Sequence, residues 1–302
     1  MIRNEFNPIA RSTVLDTLGS YRLTANDFTA MAAYDTPGDS EIFRPFEAGK
    51  ASPEELQDEL DRILVADAAR GKDTGIRSVM ALRMAMLRRG IGIDCSNLAV
   101  RTQIALHQKI GEDYGDHLFF TGTELLKLHA QRPQSWSPRT PDEKNDKGKA
   151  AIREFTTEEL EMLQSGNVSA SWVMRVFGKT GLWWITSANR MTSPEHNTVV
   201  APEDTAPGDM IAFTKPDSPD MVSHVGVVYE TARSNFGRSI IRFAHSWNVD
   251  DVMKNGPTED EVTHNTDSGR FKWSHLDLAN PNRYGGHFFV RPRAFVDKVQ
   301  NG

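Results

Sequence analysis

The feature that most constrains this chain is a change of texture near Ala206. Before it, apolar residues recur at helical spacing. After it come short β-rich runs: DMIAFT (209–214), HVGVVYE (224–230), SIIRFAHSW (239–247) and GHFFVRP (286–292), separated by turn-forming clusters such as KPDSPD and SNFGR. Helices first and strands second is the order of an α+β chain rather than of alternating βα units. An antiparallel sheet built from those runs has a face to cover, and the helix that follows Cys95 is the expected cover.

The upstream helices have readable ends. Ser52, Pro53 and Glu55 form a capping-box start, and Leu56, Leu60, Ile63 and Leu64 fall on one helical face. A second helix is predicted from about Ile76 to Arg89, closed by Gly90. A third starts just after Cys95, where Leu98, Ala99, Thr102, Ala105 and Leu106 recur with no breaker among them. Thr156 and Glu159 open a short helix that Gly166 closes, and the polar stretch 131–149 reads as a loop. The expected organisation is a helical N-terminal extension over 1–75 and one domain over 76–302. A mixed insertion at about 111–200 carries Trp172, Trp183 and Trp184, either as walls of a substrate groove or as the core of an ordinary subdomain.

Composition removes several function classes. The formal net charge of −6 over 302 residues, with no basic run interleaved with aromatics, makes nucleic acid a poor partner. No apolar run approaches the roughly 18 residues of a membrane span. The first residues hold no apolar segment of signal-peptide type, so the expected location is cytoplasmic, or outside by a non-classical route as an injected effector or phage component. A single cysteine excludes an intrachain disulfide and a CxxC zinc site. A mixed zinc site of Cys95, His224, His245 and His287 has suitable residue types but no local ligand pair, so neither metal nor organic cofactor is expected.

That cysteine lies in GIDCSNLAVRTQIAL (92–106), where a Gly-containing turn passes into a helix. A thiol at a helix N-terminus faces unpaired backbone N–H groups and the positive end of the dipole, both of which favour the thiolate. Acyl transfer by such a thiol needs a base within reach and a third group to orient the base. His224 opens one β-run and His245 lies on the next, joined by the turn around Asn235 to Gly237, so both imidazoles are placed to share a face of neighbouring strands.

These motifs resemble the NlpC-type cell-wall peptidases and their CHAP amidase relatives, which are papain-like cysteine hydrolases. Asp94-Cys95-Ser96 stands at a helix start, Pro207-Gly208-Asp209 before a strand with Phe213, and His224-Val225-Gly226 on the strand after it. The resemblance covers about 76–110 and 203–250, with a closing strand near 287–292. It implies a papain-like α+β core with Cys95 as nucleophile, His224 as general base and His245 as the orienting third residue; Asn248 and His287 are alternatives for the third place. It also implies substrate contacts from Asp94 and Ser96, a peptidoglycan or peptide substrate, and oxyanion stabilisation by the Cys95 backbone N–H. Two departures stand out. The segment MLRRGIGID before Cys95 has no Tyr to assist the oxyanion, and Asn97 replaces the usual Gly beside the nucleophile, altering that subsite.

Two rival readings share these residues. AHSWNVD resembles the His-Ala-Trp-Asn run of transglutaminase-like acyl transferases, in which His245 would be the base and Asp250 its partner. The other rival is a catalytically inactive binding module that keeps the same fold.

Overall fold

The computed structural model describes residues 3–34, 51–112, 155–165, 188–234, 236–249, 251–265, 271–273 and 284–300. Its elements run α1 (Arg3–Ser20), β1 (Arg22–Ala25), β2 (Phe28–Met31), β3 (Ala33–Tyr34), α2 (Pro53–Ala69), α3 (Val79–Arg89), β4 (Gly92–Ile93) and α4 (Cys95–Lys109). They continue through α5 (Thr157–Ser165), α6 (Ala188–Met191), β5 (Asn197–Val200), a 3-10 turn (Pro202–Asp204), β6 (Met210–Lys215), β7 (Ser218–Arg233) and β8 (Arg238–Trp247). The last are β9 (Gly256–Asn265), β10 (Phe271–Trp273), β11 (Gly286–Pro292) and α7 (Arg293–Gln300). The chain is α+β. Among the described residues no helix is long and apolar enough to cross a membrane.

Four helices, α2, α3, α4 and α5, begin where a side chain accepts a first-turn N–H. Ser52 Oγ accepts the Glu55 N–H at 3.1 Å while the Glu55 carboxylate accepts the Ser52 N–H at 2.7 Å, so α2 starts at its capping box. The same reciprocal pair, Thr156 with Glu159, opens α5; Gly166 and the three tryptophans of the insertion lie outside the described residues. The helix α3 starts at Val79 instead of Ile76, because Ser78 Oγ accepts the Ala81 N–H. It ends on Gly90 at φ 64°, a left-handed cap that suits glycine.

The first 75 residues differ from a helical extension in two respects. A hairpin, β1 with β2, turns at Asn26 (φ 53°), and β3 pairs in parallel with β4. The segment is also built into the main core: Phe6, Ala10, Val14 and Leu18 of α1 are buried in the same cluster as α4 and the large sheet. Backbone approaches too close for a side chain fix the path of β3. A Cβ on Gly92 would lie 2.4 Å from the Ala33 carbonyl oxygen, and one on Gly256 would lie 2.2 Å from that of Ala32. The buried Arg83 guanidinium ties this crossing together, donating to the carbonyls of Met31 and Ala32 on one side and of Val252 and Asn255 on the other.

The large sheet has seven strands in the order β10-β9-β8-β7-β6-β11-β5, all pairs antiparallel. Alternation gives it two faces. Met210, Ala212, Val225, Val227, Ala244 and Val290 face the helices α1, α4 and α7, whereas Ile211, Phe213, Val228, Ile241, Phe243, Trp247, Val262 and Phe289 form a second core on the opposite face. The second face is concave. His264 on β9 and His287 on β11 are separated by three strands, which on a flat sheet with spacing of about 4.8 Å would put them roughly 19 Å apart. Their ring centroids are 6.4 Å apart, so the sheet curls into a half-barrel around its second core.

Candidate active site

Three devices position the site, and the first is the Pro207-Gly208-Asp209 turn. Gly208 adopts φ 95°, its N–H donates to the Val228 carbonyl and its own carbonyl accepts from Gln103 Nε2 of α4 at 2.9 Å. Asp209 receives both the Nε–H and an Nη–H of Arg291 at 2.8 Å, with both side chains nearly inaccessible. This motif therefore docks α4 onto β6 and β7, and its acid is committed to a buried two-point ion pair.

The second device is the start of α4. Asp94 is the N-cap: Oδ1 accepts the Asn97 N–H at 2.7 Å and the Ser96 hydroxyl at 3.0 Å. The Asn97 amide donates to the Ala51 carbonyl at 2.8 Å and accepts from Arg101 Nε at 3.1 Å. Asp94, Ser96 and Asn97 are all buried. The arrangement gives these three residues the work of building the helix start. Cys95, the first residue of α4, is 6% exposed.

The third device is the imidazole pair. His224 Nε2 and His245 Nδ1 are 2.7 Å apart with both residues buried, and their rings meet edge to face at 5.0 Å. Neighbouring strands do share the face on which the two rings meet. Gly226 makes the approach possible, since a Cβ there would lie 2.6 Å from the Phe243 ring and 3.3 Å from the His245 Cβ. Trp247 stacks on His245 at 5.8 Å, while Phe213 and Tyr284 flank His224 at 5.4 and 5.8 Å.

Thiol and imidazoles are carried by different layers. Cys95 belongs to the helix-side cluster, and the two rings pack among the aromatics of the concave face. The layers are joined where the β7–β8 ladder gives out: its last paired residues are Val227 and Ala244, while β8 stays paired with β9 to Trp247. At that end Ser246, the residue after His245, donates its hydroxyl to the Ile93 carbonyl at 2.7 Å, in the turn that leads into Cys95.

The alternatives for the third residue fall elsewhere. Asn248 accepts from Asn255 Nδ2 at 3.3 Å in the loop before β9, and His287 pairs in register with Phe213 beside His264. Burial, with the nearby His264 as the lesser cause, pulls the His287 pKa from 6.5 down to about 4. Asp250, the partner of the acyl-transferase reading, lies outside the described residues.

Asp260 and Tyr284 escaped the sequence reading. Asp260 sits on β9 with its Oδ2 at 3.8 Å from His245 Nε2, both side chains inaccessible. A signal existed in EDEVTH: Asp260, Val262 and His264 alternate, and Val262 marks the inward face. Tyr284 had no such marker. Compared with known families, curated proteins and solved structures, the chain matches no family model, no curated protein and no solved structure.

Proposed function

We propose that the chain is a thiol hydrolase of amide bonds with a papain-like core of the NlpC type, acting on peptidoglycan stem peptides. The observation that carries this reading is the buried imidazole pair, His224 Nε2 to His245 Nδ1 at 2.7 Å, on the strand end that is bonded to the turn before Cys95. With His224 Nε2 turned to His245, its Nδ1 is the atom that takes the Cys95 proton.

The chemistry then runs in two halves. The Cys95 thiolate, favoured by the α4 N-terminus, attacks the amide carbonyl, and the backbone N–H of Cys95 helps hold the developing oxyanion. The C–N bond breaks, a thioester forms, and the proton held on His224 goes to the leaving amine. Water, deprotonated by His224, then attacks the thioester, releasing a carboxylate and the thiol. His245 orients the His224 ring throughout, and Asp94, Ser96 and Asn97 serve by fixing the helix start that carries Cys95.

The acyl-transferase alternative makes His245 the base. Its two nitrogens face His224 and Asp260, the position of an orienting residue, which favours His224 as base. Incubating wild type and Cys95→Ala with purified peptidoglycan, followed by mass analysis of released fragments, tests the proposal. Fragments from the wild type alone support it and identify the bond. Normal alkylation of Cys95 with no fragment from either protein replaces it with a binding module.

A further inference from the structure

A buried acid beyond the imidazole pair has a role that follows from proton bookkeeping along the row His224, His245, Asp260. We propose that Asp260 is a positioning residue that sets the tautomers of both histidines and so makes His224 Nδ1 the base; this rests on the hydrolase reading only for what that base is used for.

The row is defined by geometry. Asp260 Oδ1 accepts the Glu261 backbone N–H at 2.6 Å, which fixes the carboxyl and turns Oδ2 toward His245. Oδ2 stands 3.8 Å from His245 Nε2, longer than a formed hydrogen bond, between side chains at 1% and 0% exposure. On the far side of the ring, His245 Nδ1 meets His224 Nε2 at 2.7 Å. Phe243 and Trp247 enclose the His245 ring, so electrostatic preferences along the row are strong.

A carboxylate can only accept. It therefore favours a proton on His245 Nε2, which makes His245 Nδ1 the acceptor in the 2.7 Å contact. His224 must then donate from Nε2, and its Nδ1 is left with the lone pair that a thiol proton needs. When His224 becomes an imidazolium during the reaction, the same acceptor and the acid behind it stabilise the charge. The acid never touches substrate.

The substitution Asp260→Asn inverts this logic. Oδ1 keeps the Glu261 N–H, so the amide nitrogen takes the place of Oδ2 and presents a donor to His245 Nε2. The proton moves to His245 Nδ1, His224 must accept at Nε2, and its own proton shifts to Nδ1, where it blocks base function.

The experiment is 15N NMR of the imidazoles in the full chain, wild type and Asp260→Asn, with Cys95 alkylation by iodoacetamide followed from pH 5 to 9. Protons on Nε2 of both rings in the wild type, on Nδ1 of both in Asp260→Asn, and alkylation at pH 7 slowed by at least about 100-fold are expected. A folded Asp260→Asn protein with wild-type tautomers overturns the proposal. So does a wild type whose neutral His224 carries its proton on Nδ1, a result that needs no variant to fold. Reversed tautomers together with no peptidoglycan cleavage by the wild type uphold the role of Asp260 and sink the hydrolase reading alone.

Discussion

Ser246 Oγ donates to the Ile93 carbonyl across 153 positions of sequence, at 2.7 Å and with both residues buried. The bond fastens the strand of His245 to the turn before Cys95. Removing the hydroxyl in Ser246→Ala leaves a buried carbonyl short of a donor, at about 1–3 kcal/mol. Urea unfolding should report that loss, and Cys95 alkylation at pH 7 should slow because the helix start is no longer pinned to the imidazole strand. A destabilised variant with unchanged alkylation would show that the bond serves stability alone.

In the proposed mechanism the two histidines have separable roles. Loss of the base in His224→Ala should slow alkylation and turnover by about 10²–10⁴-fold, whereas His245→Ala, which removes only the orienting partner, should be the milder lesion. The reverse ranking would point to the acyl-transferase assignment. Rates of iodoacetamide labelling, measured beside peptidoglycan turnover, decide the order.

Asp209 and Arg291 stand or fall together. Truncating the acid in Asp209→Ala leaves the Arg291 guanidinium buried without its counter-ion, at about 3–5 kcal/mol, and loosens the turn that receives Gln103 from α4. The double variant Asp209→Leu with Arg291→Met should recover much of that stability. A double-mutant cycle by chemical denaturation measures the coupling, and additive effects would contradict the pair.

His287 predicts a pH dependence of definite sign. Its folded pKa of about 4 lies below the ordinary 6.5 because burial, and then His264, disfavour the imidazolium. The neutral ring contributes its full stability above about pH 6.5. That contribution is lost as pH falls from 6.5 toward 4, where the unfolded chain takes up a proton that the folded one refuses. The swing is roughly 3 kcal/mol at about 1.4 kcal/mol per pH unit. Denaturation of wild type and His287→Phe at pH 7 and pH 4.5 checks it: the variant should lose less stability on acidification.

Much of the architecture was legible because it is local. The capping boxes at Ser52 and Thr156, the Gly90 stop and the β-rich run HVGVVYE depend on residues close together in the chain, and the structure forms each of them. The strand β9 left only the faint signal of Val262, since GPTEDEVTHN carries acids where a strand usually carries apolar residues; its ladder with β8 forms it. The hairpin β1–β2 was hidden by the helical texture around it, and the path of β3 depends on contacts with Arg83 and with Gly256, far along the chain.

By itself the sequence determined the class, helices capped and ordered ahead of an antiparallel sheet, and it marked Cys95, His224 and His245 as residues to watch. Only the tertiary structure decided that the sheet curls, that the two rings meet at 2.7 Å, and that Asp260 stands behind them. The physical reason is range. Periodicity and capping are written between near neighbours, whereas curvature and a row of buried groups arise from strands whose meeting no short stretch encodes.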